Sequence, residues 1–308
     1  MAQANGSIMN QRRNIKLSKH SLRNPGNQSV VQTLGDNPVN NFCLAVLVLA
    51  WLTPTLMLFI SSFRPVTDMM TTGWWTAFLH PGRFTLGNYQ VVLASKGIVN
   101  NFLNSLFITI PATVLPICLG ALAAYPISFY KFPGRKIIFV SLIAMQIIPL
   151  QTVLVPVLMT LKGLGLNGTF FGIWLAHTAF GLPLCVYIFR NFFAQMPYSL
   201  IEAAKIDGAN NFTIFTKLIV PMSKPAFASL AIFQFLWVWS DMLVALVVLG
   251  DPNLSPLTVK LTSLMGSLDA GWQVMTPAAF MSMLLPLIVF LAFQKQFVRG
   301  ILAGSVKG

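Results

Sequence analysis

Six long apolar runs, each bounded by charge, constrain this chain more than any other feature. They extend roughly over Asn41–Phe63, Phe102–Ser128, Ile137–Leu161, Phe170–Phe189, Ala226–Leu249 and Gln273–Phe293. A helix needs about 20 residues to cross the hydrocarbon core of a bilayer. Only helices and closed barrels satisfy their backbone polar groups there. The expectation is an all-α membrane protein with six transmembrane helices and both termini on one side. Composition agrees, since 56% of the 308 residues are hydrophobic and 9% charged. A mean hydropathy of +0.73 is too high for a soluble core of this size.

The 20 Lys and Arg against seven Asp and Glu could signal nucleic acid, anionic lipid or cytoplasmic loops, and their placement decides. With the N-terminus inside, fifteen basic residues fall on inner segments. The remaining five, Arg64, Arg83, Lys96, Lys162 and Lys260, fall on outer ones. Positive charge marks the cytoplasmic side, so both termini are expected in the cytoplasm. No basic face interleaved with aromatics is left over, which argues against nucleic-acid binding. Residues 1–40 are polar and basic without an apolar h-region, and read as a disordered cytoplasmic tail without a cleavable signal. The stretch RRNIKLSKHSLR could lie on anionic membrane lipid, although a solvated tail that sets orientation is the simpler reading.

Cys43, Cys118 and Cys185 lie far apart within apolar runs and are expected to be packing residues. His20, His80 and His177 are equally scattered, so no metal site is expected. Prolines recur within the runs, at Pro54, Pro111, Pro116, Pro126, Pro149, Pro156, Pro183 and Pro286. They imply bent helices whose freed carbonyls are satisfied by neighbours in a bundle.

Between the fourth and fifth runs stands EAAKIDGANNFTIFTKLIVPMSKPA, which opens on Glu202, the single glutamate of the chain. Ser199 and Glu202 have the spacing of a capping box, so a helix is expected to begin at Ser199. Gly208 suits a left-handed residue that stops this helix after Asp207. Asn211 can then cap a second helix, with Phe212, Phe215 and Ile219 on one face, which Pro221 ends. Two short capped helices in an inner loop are marginal in water without something to dock against.

Glu202-Ala203-Ala204, Gly208 and Leu218-Ile219-Val220-Pro221 are similar to the EAA motif of ABC importer permeases. The resemblance implies the six-helix, MetI-like permease fold of type I importers and a bacterial inner-membrane location. It also implies a cytoplasmic coupling helix that seats Glu202, Ala203, Ala204, Asp207 and Gly208 on an ATPase subunit. Two alanines permit close approach to a groove, and the acid can pair with a basic rim. The tail from Phe297 to Gly308 resembles the C-terminus of the maltose-type second permease subunit, where a small flexible end reaches between the ATPases. Gly304, Ser305 and Lys307 inherit that contact. The fifth run, AIFQFLWVWSDMLVALVV, resembles the α-glucoside or glucosylglycerol branch of these carbohydrate permeases. The implied organisation is a tail (1–40), a first helix with an extracytoplasmic loop (41–98), and a core permease domain (99–295) that holds the coupling loop 191–224. A C-terminal tail (296–308) follows. The implied partners are a second permease subunit in a heterodimer, a dimer of ABC ATPases that bind ATP and Mg, and an extracytoplasmic sugar-binding protein.

The chain holds no GxxxxGK[ST] phosphate loop. Its nearest approach, Gly163 to Gly168, is followed by Thr169 where the lysine belongs. The seven acids are dispersed, so no triad or carboxylate pair supports intrinsic catalysis, and this chain is expected to be a non-enzyme with no cofactor of its own. Gln234, Trp237 and Asp241 fall at i, i+3 and i+7 of the fifth run, on one helical face. An acid within a span normally faces the bundle interior, and an aromatic ring beside hydrogen-bonding groups suits a sugar, so these three are the expected substrate path. An equal alternative puts Asp241 near the outer interface, with Trp237 and Trp239 in an aromatic belt. A glycerol phosphate permease is the runner-up within the class, although the spans lack the arginines a phosphate favours. A secondary transporter would want inverted repeats and several buried ionisable groups.

Overall fold

The computed structural model describes residues 38–265 and 271–305. Most of the basic tail, and Lys307 of the expected ATPase contact, lie outside the described residues. Among the described residues the regular elements are all helical. By internal packing the chain divides into Met1–Met57 and Leu58–Gly308. The first unit supplies most of helix α1 (Pro38–Ser62), whose 25 residues and mean hydropathy of 2.4 suffice to span a bilayer.

Beyond α1 come α2 (Val66–Thr71), two 3₁₀ turns (Trp74–Phe78 and Pro81–Arg83) and α3 (Gly87–Ala94). The long α4 (Lys96–Phe129) is followed by α5 (Arg135–Met145), α6 (Leu150–Gly163) and α7 (Phe170–Phe193). Next are α8 (Tyr198–Ile206), α9 (Asn211–Met222), α10 (Lys224–Trp239), α11 (Leu243–Val248), α12 (Leu257–Met265) and α13 (Trp272–Ser305). Four of these helices are long and apolar enough to cross a membrane, and two bent pairs, α5 with α6 and α9 with α10, could bring the number to six.

Two expected spans are interrupted. The third is split into α5 and α6, bent by 107°, because Pro149 takes an extended conformation at the N-cap of α6. The fifth stops at Trp239, and Ser240–Met242 separate α10 from α11. Pro111, Pro116 and Pro126 instead sit inside an unbroken α4 of 34 residues. α13 runs on to Ser305 and so takes in residues 296–305 of the expected C-terminal tail. Of the cysteines, Cys185 is a packing residue as expected, whereas Cys43 and Cys118 are exposed.

Small residues set the spacing of the central pair, α4 and α7. A Cβ on Gly120 would stand 2.5 Å from Cys185 Cβ, so glycine lets the two backbones approach. Around this contact the core forms two main apolar clusters. One joins Ile117, Ala121 and Tyr125 of α4 to Phe189 and Phe193 of α7, and takes in Ile201 of α8 and Ile214, Phe215 and Ile219 of α9. The other joins Ile108 and Ala112 of α4 to Ile173 and Ala176 of α7, Val238 of α10, and Val244 and Val248 of α11. Between them lies a polar layer of Thr113, His177, Thr178 and Gln234, all buried.

Polar side chains tie the connecting segments to the helices. Asn101 Nδ2 donates to Ser255 O at 2.6 Å, Ser255 Oγ at 2.9 Å and Pro252 O at 3.2 Å. Ser105 Oγ accepts from Leu257 N at 2.8 Å. Arg64, 4% exposed, donates to the carbonyls of Asp68 and Thr72. Asn88 Nδ2 donates to the carbonyls of Ser62 and Arg64. Replacing Asn101 with leucine removes its three hydrogen bonds and leaves Ser255 O with the longer bond from Asn104 Nδ2 at 3.2 Å and Pro252 O with that from Ser255 Oγ, a cost of about 0.5–1.5 kcal/mol per bond lost. The expected outcome is a lower melting temperature of the detergent-solubilised protein and faster proteolysis within 250–257. Unchanged melting and cleavage would show that other contacts hold this turn.

Candidate functional site

The stretch after α7 folds as two short helices with a turn between them. α8 starts one residue earlier than the capping-box reading implies: Pro197 is its N-cap, and no side chain caps it. Proline fixes the entry φ, so Ser199 and Glu202 lie inside the helix and Glu202 is exposed. Gly208 has φ +81 and follows the C-cap Asp207, as a left-handed stop requires. The second helix is capped by Asn210 rather than Asn211. Asn210 Oδ1 accepts from Thr213 N at 2.8 Å, the three-residue reach that its neighbour misses. Pro221 does not end α9, which runs on to Met222 and carries a π-helical segment over Phe215–Ile219. Such segments are rare and often functional.

One side of this element is anchored and the other is bare. Ile201, Ile214, Phe215 and Ile219 are buried, and Ala204 packs against the same cluster. Glu202, Ala203, Asp207 and Gly208 are exposed. Two large apolar side chains join them at the turn, Ile206 at 86% and Phe212 at 73% exposure. Gly304 and Ser305 fall in the last turn of α13, and Lys307 lies outside the described residues.

The expected substrate-path residues do not share one helical face. Gln234 is buried against α4, donating to Ala112 O at 3.2 Å, and its amide fills the notch left by Gly181 of α7. Trp237 is 38% exposed on α10. Asp241 lies beyond the end of α10, in the break, and its carboxyl caps α11 by accepting from Val244 N at 3.2 Å and Ala245 N at 3.0 Å. The belt alternative fails for Trp239, which is buried and donates to Ser282 O at 2.9 Å.

His177, which the sequence shows as one of three scattered histidines, belongs with these residues. It projects from α7 so that Nε2 is 3.7 Å from Asp241 Oδ2, and its ring meets Trp237 edge to face at 5.4 Å. Its side chain is 1% exposed, and neither ring nitrogen has a hydrogen-bond partner.

In the segment GLGLNGTF, Leu166 N and Gly168 N donate to Leu161 O and Val248 O, and Thr169 caps α7 by accepting from Gly172 N.

A family model described as "Binding-protein-dependent transport system inner membrane component" matches residues 116–302. This match runs from within α4 to within α13 and so includes the capped pair of helices and the break at Asp241. An osmoprotective compounds uptake permease of Synechocystis is 54% identical over 270 residues, which are 86% of this chain and 91% of the relative. An α-glucoside transport system permease of Rhizobium meliloti is 47% identical over 80% of this chain and 68% of the relative. A chain of the crystal structure of a bacterial ABC transporter involved in import of the acidic polysaccharide alginate superposes with a TM-score of 0.75 at 25% identity. That alignment covers 84% of this chain and 95% of the other. Sequence, fold and the capped helix pair thus agree, and the chain belongs to the family of inner-membrane components of binding-protein-dependent transport systems.

Proposed function

We propose that this protein is a permease subunit of an ATP-driven importer for a neutral glycoside, an α-glucoside or glucosylglycerol-like compound. It spans the bacterial inner membrane with six helices, counting each interrupted span once, and keeps both termini in the cytoplasm. A second permease subunit completes the pore. An extracytoplasmic binding protein delivers the glycoside, and a dimer of ATPases binds ATP and Mg and supplies the energy. Support for the cargo class comes from relatives named for osmoprotective compounds and α-glucosides. Support for the delivery step comes from the family description.

The observation that carries the motor assignment is the α8–α9 element, anchored in the core by one side and presenting Ile206 and Phe212 to its surroundings by the other. Large apolar side chains clustered on a polar loop outside the membrane mark a docking surface. The element can transmit force only if docking differs between ATP-bound and ATP-free states, because a ligand shifts an equilibrium by its differential affinity.

The test is co-purification of the ATPase with affinity-tagged chain carrying Glu202→Lys or Gly208→Val. Glu202 makes no cap within this chain, so its reversal acts at the docked face. Gly208 faces open space, but its φ of +81 strains any substituted residue by about 1–2 kcal/mol. Both variants are expected to lose bound ATPase or its substrate-stimulated hydrolysis. Wild-type recovery and hydrolysis in both would remove α8–α9 from the motor.

A further inference from the structure

The break between α10 and α11 gathers three groups that suit a sugar, and they come from two different membrane elements. Asp241 stands in the break, Trp237 one turn before it on α10, and His177 across from both on α7. We propose that these three residues form a binding site for one hydroxyl-bearing ring of the transported glycoside, shut in this conformation and opened when α10 parts from α7. The proposal rests on the importer reading above and adds to it a place and a chemistry for the cargo.

His177 is buried with both ring nitrogens unpartnered, whereas a fully buried imidazole normally finds partners for them. The carboxyl that faces it, Asp241 Oδ2 at 3.7 Å, is beyond hydrogen-bond length. The carboxyl oxygens of Asp241 accept from Val244 N and Ala245 N and also face Leu243 N, and a carboxyl with about four lone-pair sites keeps room for one more donor. A hydroxyl group both donates and accepts, so one hydroxyl can serve the imidazole and the carboxyl together. Two hydrogen bonds of about 2.8 Å meeting at a tetrahedral oxygen place their outer atoms about 4.6 Å apart. The pair therefore needs to open by less than about 1 Å to admit it, a shift within reach of a helix that already ends at this point.

Trp237 stands beside the pair: its ring is perpendicular to that of His177 with centroids 5.4 Å apart, and more than a third of the residue stays exposed. Its face offers the apolar surface on which sugar rings stack. Aromatic platform, acid and imidazole together supply the contacts that a neutral polyol needs.

Ser105, Ile108, Thr109, Val238, Trp239, Ala245 and Pro256 line the space beside the pair, and no lysine or arginine is among the lining residues. A phosphate or carboxylate would have to enter beside an existing acid without a cation to offset it. This setting favours an uncharged glycoside over glycerol phosphate. The carboxyl is also mechanically placed: it caps α11, and Thr258 Oγ1 donates to the Asp241 carbonyl at 2.7 Å. A displacement of α10 thus carries the acid away from His177 as part of a tethered unit.

The test uses the complete transporter, with its partner permease, ATPases and binding protein, reconstituted in proteoliposomes. Maltose, glucosylglycerol and glycerol 3-phosphate serve as the imported probes, and wild type is compared with His177→Leu and His177→Gln. The expected result is import of maltose or glucosylglycerol by wild type. His177→Leu, assembled in the same yield, imports about tenfold more slowly, as for loss of one good hydrogen bond. His177→Gln, which keeps a donor and an acceptor, recovers most of the rate. Equal import by His177→Leu and wild type overturns the site and leaves the importer reading intact. Equal losses in both variants, with reduced assembly, also overturn it and make His177 a packing residue. Import by wild type of glycerol 3-phosphate alone, or of none of the probes, overturns the cargo reading and the site with it.

Discussion

Gly120→Val is expected to abolish accumulation of folded protein in the membrane. α4 and α7 make the most extensive helix contact within Leu58–Gly308, and Gly120 sits against Cys185 within it. A Cβ there would lie 2.5 Å from Cys185 Cβ and 3.3 Å from the Cys185 carbonyl carbon and the Val186 nitrogen. Two of these three atoms are backbone, so no rotamer change on α7 relieves the overlap. Overpacking of this kind typically costs about 1–3 kcal/mol or more, and here the isopropyl group adds bulk to a clash that alanine already makes. Gly120→Ala should therefore lower the yield partway. The measurement is the monodisperse peak of a fluorescent fusion after detergent extraction and size exclusion. Wild-type peaks for both variants would mean that the helices separate freely, and the account of α4–α7 packing would fall.

The second large effect is expected from Ile206→Asp combined with Phe212→Asp. Both side chains are mostly exposed, so the double change leaves the described core in place. Buried apolar anchors at interfaces commonly contribute about 2 kcal/mol or more each when truncated. Two charges in a closed apolar groove should weaken ATPase binding by at least roughly a thousandfold. The tagged permease is then expected to come through purification without ATPase, at normal yield and with unchanged melting. Retention of stoichiometric ATPase would rule out this turn as the docking surface.

Much of this architecture can be read from residue patterns. Runs of apolar residues bounded by charge locate the long helices, because a bilayer imposes one minimum length on all of them. Gly208 announces the turn between α8 and α9 through its backbone freedom. The breaks are harder to read. Pro149 ends a helix while Pro111, Pro116 and Pro126 do not, since neighbours decide whether a freed carbonyl can be satisfied. Ser240–Met242 carry neither proline nor glycine to mark a break. Asn210 and Asn211 compete for one cap, and only the hydrogen bond to Thr213 decides between them. The pairing of His177 with Asp241 depends on how α7 and α10 face each other, and periodicity within a single run carries no information about that. A histidine within an otherwise apolar span was the available signal.

The unbroken course of α4 has a mechanical consequence. Its 34 residues make a rod of about 51 Å. Tyr125, near one end, packs with Phe215 of the α8–α9 element. At the other end, Asn101 grips the turn at 252–255. A tilt of about 5° pivoted at one end of such a rod sweeps the opposite tip through about 4 Å, given the rise per residue of an α-helix. A pull on the small helices can thus be delivered as a stroke to the far loop without a chain of relayed side-chain moves.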